Sequence, residues 1–370
     1  MHFVIERGIV SHTIRMEDRT FDPNGDITLI MRSHLEDDQT PERTTTTESV
    51  IESTPMLVSS KHLILASLVF GAMLQDRFNE GQTLRSAGYL ELPLPDDDPV
   101  AFSILLDVIH GHTRKVSRKI DFELLIQISI LVDKYQLQEV VEVFSDGWVQ
   151  ALSHEVPASL TADLIHWLCI FWVFGQSDKF KLMTRIMERE SSGITWTEDL
   201  SIPPVVLGTF FGGWSELHII LTIVDEIENK RQGVIASAIS MLTDLITNYQ
   251  NSTPRCPRSG DNTFKCDAMV LGALIKSSIS IGLWPPPAPP FTGISFCALS
   301  GQIHQMKVPT LCDTIGQTEG WYGSKDDYGY YDRDGLPAHI GPCGIKESIE
   351  ASLRSLEDQL CGLDISTFKV

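Results

Sequence analysis

At 370 residues with 42% hydrophobic content, the chain is long enough for two or three domains with real cores. Its 49 Asp and Glu against 29 Lys and Arg leave a formal charge of -20, a field that repels a nucleic-acid duplex and argues against phosphate-directed binding. Charged residues at 21% exclude a wholly disordered composition, and the most apolar segment, Ala162–Phe174, falls short of the ~20 residues a membrane helix needs. Seven cysteines without an export signal in the opening residues fit a reducing compartment, so an intracellular protein of nucleus or cytoplasm is expected.

Residues 1–20 read as an N-terminal extension. Phe21 to Gly25 carry turn chemistry, with Pro23 fixing φ and Gly25 permitting positive φ. Asp26–Arg32 then places Ile27, Leu29 and Met31 on one side with period two, a half-buried strand. Residues 33–55 are Thr-rich, acidic and without periodicity, which predicts a flexible insertion. Met56–Val58 reads as the partner strand, and Ser59 or Ser60 as the N-cap of the helix that follows. Along that helix His62, Leu65, Ala66 and Val69 fall on one stripe, continued by Phe70 and Met73.

Tyr89–Pro93 predicts a third strand. Asp98 before Pro99 is a strong helix start, the carboxylate capping and the proline fitting the first helical position. Phe102, Leu105, Leu106 and Ile109 line its inner face. His110-Gly111-His112 reads as a polar helix tip, and the basic loop His112–Lys119 as a solvated connection. Helices follow at Phe122–Lys134 and Leu137–Leu152. From residue 153 the strand signals stop. Helical patterns recur at 158–174, 177–190, 216–228 and 233–249, a linker is expected at 251–262, and another helix at Lys265–Ile281. Trp284–Pro290 predicts a polyproline-like connector. The closing helix, Ile345–Cys361, repeats apolar residues at Ile345, Ile349, Leu353, Leu356 and Leu360 and stops at Gly362.

This order of elements resembles the BTB/POZ domain, a protein-interaction fold without chemistry of its own. The likeness rests on Lys61 to Ser67 followed by Val69-Phe70, similar to the family's helix-turn-helix signature, with Leu68 where the turn usually has proline. The strand at Tyr89–Pro93, the Asp96-Asp97-Asp98-Pro99 start and Val132-Asp133-Lys134-Tyr135 come in the family's order. The chain as a whole resembles filamentous-fungal BTB proteins with an uncharacterised helical C-terminal region, whose features appear at Lys265–Leu274 and Ala288–Phe296. Gly208–Val224 departs from that group.

The fold class so implied is α+β: a BTB/POZ domain at 21–152 with a short three-stranded sheet, a helical region at 153–250, and a helical and loop region at 263–370. The resemblance implies a protein–protein adaptor or scaffold. Many BTB domains dock on a cullin-type scaffold of a ubiquitin ligase through an apolar-x-Glu motif after the turn. Phe78-Asn79-Glu80 stands at that place, so Phe78 and Glu80 are the expected partner-binding residues. Homodimerisation is the family's other habit. The residues before Asp26 show no clear amphipathic helix for a swapped dimer, and other dimer surfaces stay open. The alternative function is a nuclear transcription or chromatin regulator acting through the same fold.

No catalysis and no cofactor are expected. No phosphate-binding loop is present, Gly213-Trp214-Ser215-Glu216 lacks the closing glycine of a nucleophile elbow, and the acidic run ending at Gly335 fails the calcium-loop pattern. Cys256, Cys266, His339 and Cys343 are soft ligands that a structural zinc would have to draw together from both ends of a long loop. Buried apolar packing explains cysteines equally, and no metal is assigned.

Overall fold

A computed structural model describes residues 19–32, 53–193, 214–256, 261–311 and 344–368. Most of the expected insertion, the acidic run ending at Gly335, and His339 and Cys343 lie outside the described residues. The protein is mixed α and β and mostly helical, with one four-stranded sheet and twelve α-helices among the described residues. Among those residues no helix is long and apolar enough to cross a membrane. The chain divides into two compact units, one with the described residues up to Val156 and one with those from Pro157 onward.

The first unit runs β1 (Arg19–Thr20), β2 (Ile27–Arg32), β3 (Ser53–Val58), α1 (Ser60–Ala66), α2 (Leu68–Met73), α3 (Asn79–Ala87), β4 (Leu90–Leu94), α4 (Pro99–Ile109), α5 (Phe122–Lys134) and α6 (Gln138–Ala151). The sheet order is β1-β3-β2-β4, with β2 antiparallel to β3 and parallel to β4. Ile27 lies opposite Val58 and Leu90, and Leu29 opposite Met56 and Leu92, so the period-two apolar residues of three strands share one buried face. Each such side chain contributes roughly 1.5–3 kcal/mol by leaving water.

Four strands replace the three expected. β1 is two residues long, too short for any periodic signal, and pairs parallel to β3 at Met56 and Leu57. The expected insertion also ends sooner, because Ser53, Thr54 and Pro55 belong to β3. Pro55 sits just past the reach of β1, an edge position where a strand tolerates a residue without an N–H.

The second unit holds α7 (Asp163–Val173), α8 (Ser177–Glu190), α9 (Trp214–Gln250), α10 (Asp261–Ser280), α11 (Phe296–His304) and α12 (Ile345–Glu357). The two helices expected at 216–228 and 233–249 are one continuous helix of 37 residues. Nothing in Asn229-Lys230-Arg231-Gln232 breaks a helix, and Arg231 is drawn into the core. That guanidinium, fully buried, binds Glu228 through Nε at 2.7 Å and donates to the carbonyls of Pro290, Phe291 and Ile294 at 3.0, 3.3 and 2.7 Å. The segment expected as a polyproline connector is thereby tied to α9 at its C-terminal end.

The last helix stops at Glu357, four residues before the expected end. Leu360 is nonetheless fully buried, which is why the apolar repeat outruns the helix. The tail beyond it docks on α8: the Gly362 N–H donates to Glu188 Oε2 at 2.9 Å, and the Leu363 N–H to Thr184 Oγ1 at 2.8 Å. Gly362 has φ +80°, and a Cβ there would stand 2.0 Å from the Lys181 carbonyl oxygen. Only glycine meets both demands.

Candidate protein-interaction surface

The block expected as one helical stripe is two helices meeting at Ser67. Its extended backbone (φ -138°, ψ 122°) ends α1, and its Oγ accepts from the Phe70 N–H at 3.0 Å to cap α2. The same hydroxyl donates to the Tyr135 carbonyl at 2.6 Å, pinning the break to the end of α5. Serine is suited to both tasks, since it competes well with helical hydrogen bonding at such positions.

The break resets the helical phase, so that of the expected stripe Phe70 is fully buried, Ala66, Val69 and Met73 are half-buried, and His62 and Leu65 face outward. Leu65 is 88% exposed, His62 is exposed, and the buried positions are Leu63 and Phe70. Leu68 is 78% exposed, and Ile64, packed against Gly71, is also exposed. Three apolar side chains around the α1–α2 junction therefore face solvent.

Below the junction the packing is tight. Phe70 stacks on Tyr135 at 4.6 Å between centroids, and Phe102 meets Tyr135 edge-on at 5.3 Å. The Tyr135 hydroxyl donates to Asp97 Oδ2 at 2.5 Å, and the Lys134 ammonium donates to Asp97 Oδ1 at 2.5 Å. Burial first, and then the Asp97 charge, push the Tyr135 phenol far above its ordinary value, so it stays a neutral donor.

From Met73 the chain turns through Leu74–Phe78 into α3. Phe78 is the N-cap residue of α3, with extended backbone, and the N–H of Phe78 donates to the Gln75 carbonyl at 3.0 Å. Its ring is 43% exposed and carries the Arg77 guanidinium 5.3 Å from its centroid. Glu80 lies in the first turn of α3 and is half-buried. A carboxylate there is favoured by the positive end of the helix dipole.

The turn is held from three sides. Gln82 Nε2 donates to the Asp76 carbonyl at 2.9 Å, and Arg85 pairs with the Asp76 carboxylate. Gly81 is pressed against backbone: a Cβ there would stand 2.2 Å from the Gln75 carbonyl oxygen. The geometry therefore presents a partly exposed aromatic ring and, two residues on, a half-buried carboxylate on a fixed turn.

Elsewhere, Asp98 caps α4 as expected, accepting from the Ala101 N–H at 2.7 Å. Ser59 is the N-cap residue of α1, one of the two serines expected there, but the capping contact comes from elsewhere. The Ser59 side chain makes no cap bond, and Asp26 accepts from the Ser60 N–H at 2.7 Å and the Ser60 hydroxyl at 2.6 Å. Of the soft ligands, Cys256 and Cys266 do come together, buried and packed with Leu311. Asp267 accepts from the Cys256 N–H at 3.0 Å. Among the described residues no group of three or more His, Cys, Asp or Glu side chains is placed to hold a metal ion.

The second unit carries an open groove of about 450 Å³ between α9 and α12, lined by hydroxyls of Ser237, Ser240, Ser348 and Ser352 beside Met241 and Ile349. Sequence reading passed over Arg231 and Glu188. Arg231 had a visible signal, for it sits mid-stripe between Ile227 and Val234–Ile235, a core position on α9. Glu188 had none, because its partner Gly362 lies 174 residues away. No protein-family model matches the chain, and no curated protein matches it.

Proposed function

We propose that the first unit is a BTB/POZ domain and that the protein is an intracellular adaptor or scaffold whose Phe78–Glu80 turn docks on a cullin-type ubiquitin-ligase scaffold. The observation that carries this reading is Phe78, open to solvent on a turn that Gly81, Gln82 and Arg85 keep in place. An aromatic ring held ready for a pocket loses little conformational freedom on binding. The element order, the helix break at Ser67 and the Asp98-capped α4 support the family resemblance. The exposed Ile64, Leu65 and Leu68 add a second apolar surface, suited to another copy of the chain or to a recruited protein. The second unit would then hold the material to be recruited.

Calorimetric titration of the full chain with a cullin N-terminal domain tests the reading. Micromolar or tighter binding is expected, and Phe78→Ala combined with Glu80→Lys is expected to weaken it by about 30-fold or more, the scale of a lost hot spot. Binding that the double variant leaves intact would remove the site. Absence of binding by the folded wild type would remove the cullin assignment.

A further inference from the structure

His110 closes α4, and both of its ring nitrogens are committed. Nε2 lies 3.1 Å from the Ser59 backbone nitrogen, a group that can only donate, so Nε2 must carry a lone pair. Nδ1 lies 3.0 Å from the Leu106 carbonyl oxygen, which can only accept, so Nδ1 carries the proton. These two contacts admit one state, the neutral imidazole with its proton on Nδ1. Ser59 is the residue from which α1 departs, its carbonyl accepting from the Leu63 N–H at 3.2 Å. The entry of α1 is thus held by two side chains from elsewhere in the unit, Asp26 on Ser60 and His110 on Ser59.

We propose that His110 is a proton-operated pin on α1: taking up a proton at Nε2 breaks its bond to Ser59 and loosens the helix that presents Ile64 and Leu65. A protonated Nε2 would point a donor at a donor, so the contact to Ser59 cannot survive the added proton. The groups around it divide, His62 and His112 opposing the added charge and the Leu106 carbonyl and Asp22 favouring it. His62 of α1 stacks on His110 at 4.9 Å between centroids, and His112 follows at 6.5 Å. Phe21 covers the ring at 5.9 Å. Asp22, in the turn before β2, favours the charge, and Asp107 of α4 engages His112 at 3.2 Å. Asp26 is occupied by Ser60. Burial leads these influences and holds His110 below the ordinary histidine value of 6.5.

The sign follows from linkage. A histidine whose folded pKa is depressed binds its proton more tightly when the pin is open, so the closed form is fully favoured above pH 6.5 and is lost as pH falls below it. Where only the open form takes the proton, opening rises about tenfold for each pH unit below that value. Most carboxylates keep their charge between pH 7.5 and 5.5, which isolates the histidines.

Hydrogen exchange of the full chain at these two pH values, corrected for intrinsic rates, tests the proposal. Amides of residues 59–66 are expected to open about tenfold more at pH 5.5 in the wild type. His110→Gln, which offers an acceptor but does not titrate, is expected to abolish that change, while His62→Gln and His112→Gln retain it. No change in the wild type, or a change that survives His110→Gln or vanishes with His62→Gln or His112→Gln, would overturn it. Should His110→Gln fail to fold, ring-nitrogen NMR of the wild type decides. A neutral ring protonated on Nδ1 at pH 7.5, charging as α1 loosens, supports the pin; the other tautomer, or a ring already charged, overturns it.

Discussion

Gly81→Ala is the sharpest probe of the turn that carries Phe78. The added Cβ would lie 2.2 Å from the Gln75 carbonyl oxygen, 2.4 Å from its carbon and 2.7 Å from the Leu74 carbonyl oxygen, against 3.4–4 Å for ordinary contact. All three atoms are backbone, so no rotamer change relieves the clash, and α3 must move away by about an ångström. Overpacking of this kind costs about 1–3 kcal/mol. The shift also strains the bonds from Phe78 N to Gln75 and from Gln82 Nε2 to Asp76, each worth about 0.5–1.5 kcal/mol net. Against this stands the gain of roughly 1 kcal/mol when alanine replaces glycine in a helix. The balance is a loss of about 1–3 kcal/mol.

Gly147→Ala supplies the control. Gly147 lies on the exposed face of α6, where a Cβ would meet nothing within 4 Å. That variant gains the propensity without the clash and is expected to stabilise by about 0.5–1 kcal/mol. Urea unfolding of the two variants beside wild type should therefore move the midpoint in opposite directions. A Gly81→Ala protein as stable as Gly147→Ala would refute the claim that the turn is fixed by backbone contact.

Two predictions concern the second unit. Arg231→Ala leaves the buried Glu228 without its cation, with only the Gln232 amide donating to it at 2.7 Å, and leaves three carbonyls without this donor, so a loss of about 3–5 kcal/mol is expected in thermal or urea unfolding, and Arg231→Lys should not restore it because an ammonium cannot reproduce the fork. Burial raises the Glu188 pKa above its ordinary 4.5, although the Gly362 amide and Lys230, 3.3 Å from Oε1, draw it down. A raised carboxyl contributes most below pH 4.5 and loses that contribution as pH climbs through its folded value, so Glu188→Gln should gain on wild type as unfolding is measured from pH 4.5 to 7.5; a pH-independent difference would contradict this.

What could be read from the sequence was local. Asp98 followed by Pro99 marks the start of α4 because capping and φ restriction act within a few residues, and Ile27, Leu29 and Met31 reveal a strand because they alternate. The resemblance points to Phe78 and Glu80, and the structure adds the exposure of Phe78, the half-buried setting of Glu80 and the fixed turn beneath them. What escaped depends on distant partners. The cap of α1 comes from Asp26, 34 residues before Ser60, and the break at Ser67 is anchored by Tyr135, 68 residues on. The apolar spacing of His62–Met73 alone gives no sign of the break and puts Leu65 inside, whereas the family resemblance, with its helix-turn-helix signature, implies a turn at Ser67-Leu68. The same distance hides the tail on Glu188 and Thr184, where Gly362 alone fits and the sequence suggested only a helix stop.

The most direct test of the proposed recognition turn is a hydrogen-exchange footprint of the full chain with and without a saturating cullin N-terminal domain. The account predicts slowed exchange over Gln75–Gln82, centred on Phe78 and the first turn of α3. Protection confined to other segments, or none at all, would contradict it.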